Sequence, residues 1–97
     1  MTGMLPLAEL LTGLAEETCE LGQAALKLRR VFTGANPTPV TQEDAIEKFE
    51  EEIADVMLYL DEIGFSRKRV EEVKAIKLER WKERLILAGV KDRAELG

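Results

Sequence analysis

Histidine is absent from this chain of 97 residues, and cysteine occurs only once, as Cys19. Without histidine, neither a Ser-His-Asp triad nor a Cys-His pair can form, and the imidazole ligands typical of zinc sites are missing. A single cysteine excludes a disulfide bond within the chain. Any catalysis must therefore depend on carboxylates, cations, hydroxyls or a metal.

Other familiar signals are also missing. The sequence has no GxxxxGK[ST] loop, which excludes a P-loop ATPase. It has no apolar run long enough to cross a bilayer and no secretory signal pattern, so we expect a cytoplasmic protein without a membrane partner. The net charge of −5 argues against nucleic-acid binding, because the phosphates of a duplex would repel the chain.

Charged residues make up 34% of the chain and aromatic residues only 5%, which is typical of a helical protein. We therefore predict an all-α fold in a single domain over 1–97. A chain of this length buries only a modest core by itself. Self-association, as a homodimer or homotetramer that forms an oligomeric helical bundle, is the expected consequence.

Apolar spacing predicts three helices, over about 5–32, 42–63 and 67–88, with an irregular tail over 89–97. The segment TGANPTPV opposes helix formation and should form the first connection. Thr41 and Ser66 are candidate N-caps, and Gly64 is a candidate left-handed C-cap. The predicted order is a long helix, a loop, a helix, a tight turn and a third helix.

Glu17 stands where an amphipathic helix should carry an apolar residue. On a helical wheel it falls within the stripe of Leu10, Leu14 and Leu21, with Glu20 and Glu16 beside it. An isolated carboxylate in an apolar interface costs several kcal/mol unless it is protonated, paired or bound to a metal. Glu17 therefore needs a partner, although single helical glutamates are usually solvated or ion-paired.

The second predicted helix repeats this anomaly, with Asp55 alone among apolar neighbours in IADVMLYL and Glu52 one turn before it. Residues three apart on a helix are neighbours, so Glu17 pairs with Glu20 and Glu52 with Asp55. If the two helices pack antiparallel, both pairs can face one gap. Such a set of carboxylates suits Mg²⁺ or Mn²⁺ rather than zinc or copper.

The segments EETCE and EIAD resemble the EExxE and ExxD motifs of MazG-like nucleoside triphosphate pyrophosphohydrolases, and most of the chain is similar to short members of that family. The resemblance implies that Glu17, Glu20, Glu52 and Asp55 bind Mg²⁺. It implies that Glu16 is a further ligand, a group that supports the ligands, or the base that positions the attacking water.

Basic residues recur at threes and fours on the third helix, on the same side as Val70, Val73 and Trp81. These residues are Lys74, Lys77, Arg80 and Arg84. They could pair with glutamates of the same helix, namely Glu71, Glu79 and Glu83, or bind the phosphates of a substrate. The resemblance favours phosphate binding. Trp81 is expected in packing or at an interface rather than against a base.

Metal-activated water attacking a nucleoside triphosphate, with release of the monophosphate and pyrophosphate, is thus the expected reaction. Two alternatives stay open. A non-catalytic adaptor would use the acidic residues to bind the basic helix of a partner subunit. A related enzyme would be restricted to one base, such as a dUTPase or dCTPase. The sequence does not choose the base.

Overall fold

Three helices make up the regular structure. The computed structural model describes residues 5–34 and 39–89, which form α1 (Leu7–Thr33), α2 (Gln42–Ile63) and α3 (Arg67–Leu87) without any strand. These bounds confirm the predicted all-α fold, and each predicted helix end falls within two residues of the observed one. The centre of the predicted loop and the tail beyond Gly89 lie outside the described residues.

Side-chain caps begin α2 and α3. The backbone N–H of Asp44 donates to Thr41 Oγ1 at 3.1 Å, and that of Arg69 donates to Ser66 Oγ at 3.1 Å. Each hydroxyl thus satisfies one of the backbone donors that a helix leaves free in its first turn. Both predicted N-caps are confirmed.

Glycines with positive φ end α1 and α2. Gly34 has φ 65° and ψ 9°, the left-handed conformation, and its N–H donates to the Arg30 carbonyl at 2.9 Å. Gly64 ends α2 as predicted and also has a positive φ of 82°, but its ψ of 141° is extended. The left-handed cap predicted at Gly64 is therefore wrong in ψ, because the chain must extend there before the cap of α3.

The chain divides into two compact units, Met1–Gly64 and Phe65–Gly97. The first unit contains α1 and α2, which pack against each other, and the second contains α3. Pairing along the first unit is antiparallel, since Gly13 lies beside Tyr59 whereas Ala24 shares a pocket with Ala45. The antiparallel packing on which the predicted carboxylate site depends is thus present.

A close approach between α1 and α2 occurs at Gly13. The ring of Tyr59 lies over this glycine, and a methyl group added to Gly13 would overlap the ring. Gly13 is buried in the middle of α1, where glycine otherwise weakens a helix. Its missing side chain is therefore the space in which Tyr59 packs.

Gly13→Ala is expected to destabilise the protein by about 1–3 kcal/mol, because the overlap with Tyr59 outweighs the gain in helix propensity. Gly22 is the matched control, since it lies on the same helix and a methyl group there meets nothing within 4 Å. Gly22→Ala should stabilise by about 0.5–1 kcal/mol. Urea unfolding of both variants measures this, and equal shifts in the same direction would contradict the packing described.

Few side chains are buried in the described residues. The buried apolar residues are Leu10, Ala24 and Ala45, and α3 has no buried residue. Most of the predicted apolar stripes are half-buried or exposed, and Trp81 is 53% exposed. Across the described part of the chain, no helix is long and apolar enough to cross a membrane.

Candidate metal centre

Three carboxylates meet where α1 and α2 pack together. Glu17 and Glu20 lie one turn apart on α1, and Glu52 comes from α2. One oxygen from each of these side chains lies within 4.8 Å of the others. We call this group the carboxylate cluster, and it contains three of the four residues expected to bind a metal.

Glu52 is the buried member of the carboxylate cluster, with only 4% of its surface exposed. Its Oε1 lies 2.7 Å from Lys48 Nζ, one turn earlier on α2. The hydrogen bond and charge of Glu52 raise the pKa of Lys48, so the ammonium form is favoured. Lys48 thereby compensates one oxygen of Glu52 and leaves the other without a cation.

Among the described residues, two buried oxygens of the carboxylate cluster find no hydrogen-bond partner, namely Oε2 of Glu17 and Oε2 of Glu52. Buried polar atoms in folded proteins are nearly always hydrogen-bonded, and a buried anionic oxygen is costly without a partner. Two such atoms in one cluster call for a hydrogen-bond donor, a proton or a cation. The donor set is entirely carboxylate oxygen, which fits Mg²⁺ or Mn²⁺.

The pKa of Glu17 lies above the ordinary value of 4.5, mainly because burial disfavours the charged carboxylate. The charges of Glu20, Asp55 and Glu52 raise it further, in that order, as does a hydrogen bond with Glu20. A raised folded-state pKa means that the fold loses stability as pH rises from about 4.5 through that pKa. At neutral pH the ionised Glu17 therefore opposes folding.

Neither Asp55 nor Glu16 contributes one of the three oxygens that meet in the carboxylate cluster. Asp55 is half-buried one turn after Glu52, near enough for its charge to raise the pKa of Glu17. None of its oxygens joins the three that lie within 4.8 Å of one another, so Asp55 is not a member of the carboxylate cluster. Glu16 is exposed on α1 and contributes no oxygen to the cluster, which fits contact with water better than a place among the ligands.

The four predicted phosphate-binding cations all lie on α3, in the second unit. Lys74 Nζ lies 3.3 Å from Glu71 Oε1, one of the pairings that the sequence left open, although both side chains are well exposed. Another such glutamate, Glu79, pairs with Lys82 at 3.6 Å. Over residues 5–34 and 39–89, the other three predicted cations, Lys77, Arg80 and Arg84, make no ion pair.

Lys48 is the residue of this site that the sequence did not reveal. Its signal was present, because Lys48 and Glu52 are four residues apart on one helix and such pairs attract. Many helices carry this spacing without consequence. Only the burial of Glu52 shows that this particular pair controls the orientation of a carboxylate in the cluster.

The two segments that resemble MazG-like motifs, EETCE and EIAD, contain all three residues of the carboxylate cluster, together with Glu16 and Asp55. Family membership stays a prediction that rests on these two motifs. Comparisons of the chain with family models, with curated proteins and with solved structures found no match.

Proposed function

We propose that this chain is a Mg²⁺-dependent nucleoside triphosphate pyrophosphohydrolase that releases a nucleoside monophosphate and pyrophosphate. One observation carries the proposal: Glu17 and Glu52 each place a buried, unpartnered oxygen in a cluster of three carboxylates. An ordinary helical interface would not retain this arrangement, because it costs stability whenever the cluster is ionised. A divalent cation turns the same arrangement into a favourable one.

The cluster has residues for distinct tasks. Glu17, Glu20 and Glu52 would hold the cation, with Asp55 as a fourth ligand at the edge. Bound Mg²⁺ would neutralise phosphate charge and lower the pKa of water. Glu16, which is exposed, would orient a water molecule or accept its proton. Lys48 fixes one oxygen of Glu52 and so limits how the carboxylate can turn.

A second part of the proposal concerns α3 by itself. Lys77, Arg80 and Arg84 make no ion pair within the described residues, so they are available to an anion. We assign them to the substrate phosphates, together with Lys74 when it leaves Glu71. Their exposed positions on one helix suit a ligand that arrives from solvent. A pyrophosphate leaving group carries the charge that such cations stabilise.

A non-catalytic adaptor is the second candidate, and the exposed apolar surface of the helices favours it. Large exposed apolar side chains occur on all three helices, and they include Leu11, Leu26, Met57, Leu58, Ile76, Ile86 and Leu87. A chain that exposes so much apolar surface is expected to bind a partner. The adaptor explains this surface but not the unpartnered oxygens of Glu17 and Glu52.

Thermal unfolding with Mg²⁺ separates the two candidates. A cation that binds only the folded state at ten times its Kd should raise the melting temperature by about 5–10 °C. A screen of ordinary and modified triphosphates with Mg²⁺, with detection of pyrophosphate, then identifies the base, including the base-restricted alternatives. Stabilisation by Mg²⁺ without hydrolysis of any triphosphate would favour a metal-binding adaptor. The absence of both stabilisation and hydrolysis would refute the proposed enzyme.

We expect the protein to be a homodimer or homotetramer, because the described residues bury so little apolar surface within one chain. Leu78, Ile86 and Leu87 of α3 are exposed, and Leu85 is half-buried. Burial of such residues against a second copy contributes about 25 cal/mol for each Å² of apolar area. Light scattering at micromolar concentration measures the mass, and a stable monomer would contradict this expectation.

A further inference from the structure

A basic groove adjoins the carboxylate cluster within the first unit. The groove has a volume of about 540 Å³ and is open to solvent, and Glu20 and Glu52 of the cluster form part of its wall. Lys27, Arg30 and Lys48 line the same groove. Three cations thus stand beside two carboxylates, in a chain whose net charge is −5. The groove therefore carries a small excess of positive charge, although the chain as a whole is negatively charged.

The two cations from α1 follow the cluster along one face of the helix. Lys27 lies seven residues after Glu20, which is two helical turns, and Arg30 lies one turn further. At about 1.5 Å for each residue, the basic side chains begin roughly 10 Å from the cluster along the axis. A linear anion bound at the cluster and extending along α1 would pass Lys27 first and Arg30 second.

Neither Lys27 nor Arg30 makes an ion pair within the part of the chain that the structure describes, although both are half-buried. A structural reason exists for Arg30, since a cation in the last turn of a helix interacts favourably with the helix dipole. That effect falls off within one turn, and Lys27 stands further from the end of α1. The dipole therefore does not account for the whole basic lining.

Lys48 joins the groove to the carboxylate cluster. Its ammonium group binds Glu52 at 2.7 Å and also lines the groove. An anion that enters the groove would therefore meet a cation at the border of the cluster, with Lys27 and Arg30 beyond it. This succession of charges matches a polyphosphate, which carries negative charge along its length, better than it matches a single carboxylate.

We propose that the basic groove lined by Lys27, Arg30 and Lys48 is the subsite for the polyphosphate chain of the substrate. The proposal rests on the proposed function for the identity of the substrate, but the groove itself makes a separate prediction. An inorganic polyphosphate should bind there without any nucleoside. Lys27 and Arg30 bind phosphate oxygens, whereas Lys48 positions Glu52 and screens its charge from the entering anion.

Binding of inorganic tripolyphosphate, measured by calorimetry with and without Mg²⁺, tests the groove. Lys27→Gln and Arg30→Gln should each weaken binding by roughly 10- to 100-fold, the effect of losing one hydrogen bond between charged groups. Arg29→Gln is the matched control, because Arg29 is the exposed neighbour of Arg30 and does not line the groove. It should weaken binding by about twofold or less, since exposed charges are screened by salt.

Arg30→Lys guards against a purely structural effect, because it keeps the charge and should retain most of the binding. Equal weakening by the Arg29, Lys27 and Arg30 variants, or no tripolyphosphate binding by the wild type, would overturn the groove proposal.

Thermal stabilisation by Mg²⁺, recorded on the same samples, separates failure of the groove from failure of the proposed function. If Mg²⁺ stabilises the wild type while the groove variants bind normally, the groove proposal fails and the metal site stands. If Mg²⁺ has no effect while the groove variants lose binding, the groove is upheld and the proposed function fails.

Discussion

Glu52→Gln is expected to lower Mg²⁺-dependent triphosphate hydrolysis by about 100-fold or more, the scale of losing a charged group at a reaction centre. The amide keeps the shape of the side chain but removes the negative charge that a cation requires. It also breaks the ion pair with Lys48, which joins Glu52 to the basic groove. Initial rates of pyrophosphate release at saturating Mg²⁺ measure the effect.

Glu50→Gln is the matched control for this variant. Glu50 lies two residues earlier on α2, is exposed and contributes nothing to the carboxylate cluster. Its rate should stay close to that of the wild type. Uptake of Mn²⁺, followed by the loss of the free-ion electron paramagnetic resonance signal, provides a second readout. Wild-type turnover in Glu52→Gln would remove this residue from the metal site.

Glu17→Gln should cause a similar loss of turnover, and it should stabilise the metal-free protein. Because the fold raises the pKa of Glu17, its ionisation destabilises the metal-free protein above about pH 4.5. Removal of the charge should therefore raise the melting temperature in the presence of a chelator at pH 7, and the gain should shrink towards pH 4. A gain that is independent of pH would show that repulsion within the cluster is not its cause.

Lys77→Ala and Arg80→Ala are expected to weaken triphosphate use by about 10- to 1000-fold each, the range for one charge contact in a transition state. Both side chains are exposed on α3 and without an ion pair in the described part of the chain, so their loss should leave the fold intact. Values of kcat/KM measure the effect. Metal uptake should not change, because neither residue contributes an oxygen to the carboxylate cluster.

Lys82→Ala is the control on the same helix, because Lys82 is exposed and pairs with Glu79 at 3.6 Å. Its kcat/KM should change by less than about threefold, in keeping with the small value of surface pairs. If Lys77→Ala and Arg80→Ala behave like this control while Lys27→Gln and Arg30→Gln fail to bind tripolyphosphate, the phosphates are held by the first unit. The assignment of α3 to the substrate would then be wrong.

The helices were predictable because their signals are local. Thr41 and Ser66 each stand before an apolar repeat and cap it with a side-chain hydroxyl, and Gly34 and Gly64 provide the positive φ that ends a helix. The conformation of Gly64 was not predictable to the same degree. Its ψ depends on the path of the chain into α3 rather than on the preference of glycine.

The carboxylate cluster was predictable in part, because a charged residue within an apolar stripe is unusual at any register. Glu17 and Asp55 stood out for that reason, and Glu52 was included because it lies one turn before Asp55. In the described part of the chain, the buried oxygens without partners belong to Glu17 and Glu52. The role of Lys48 and the basic groove could not be read from the sequence. Both depend on the register between α1 and α2, because that register determines which α1 residues face Lys48. The close packing of Gly13 against Tyr59 helps to fix the register.

Hydrolysis in ¹⁸O-labelled water tests the proposed reaction most directly. A nucleoside triphosphate that the protein accepts is cleaved with Mg²⁺, and mass spectrometry locates the label in the two products. Water held at the carboxylate cluster should attack the α-phosphorus, because pyrophosphate is then the leaving group whose charge the cations neutralise. The label should appear in the nucleoside monophosphate, with unlabelled pyrophosphate released in equal amount. Label in pyrophosphate, or no cleavage of any triphosphate in the presence of Mg²⁺, would contradict the proposed function.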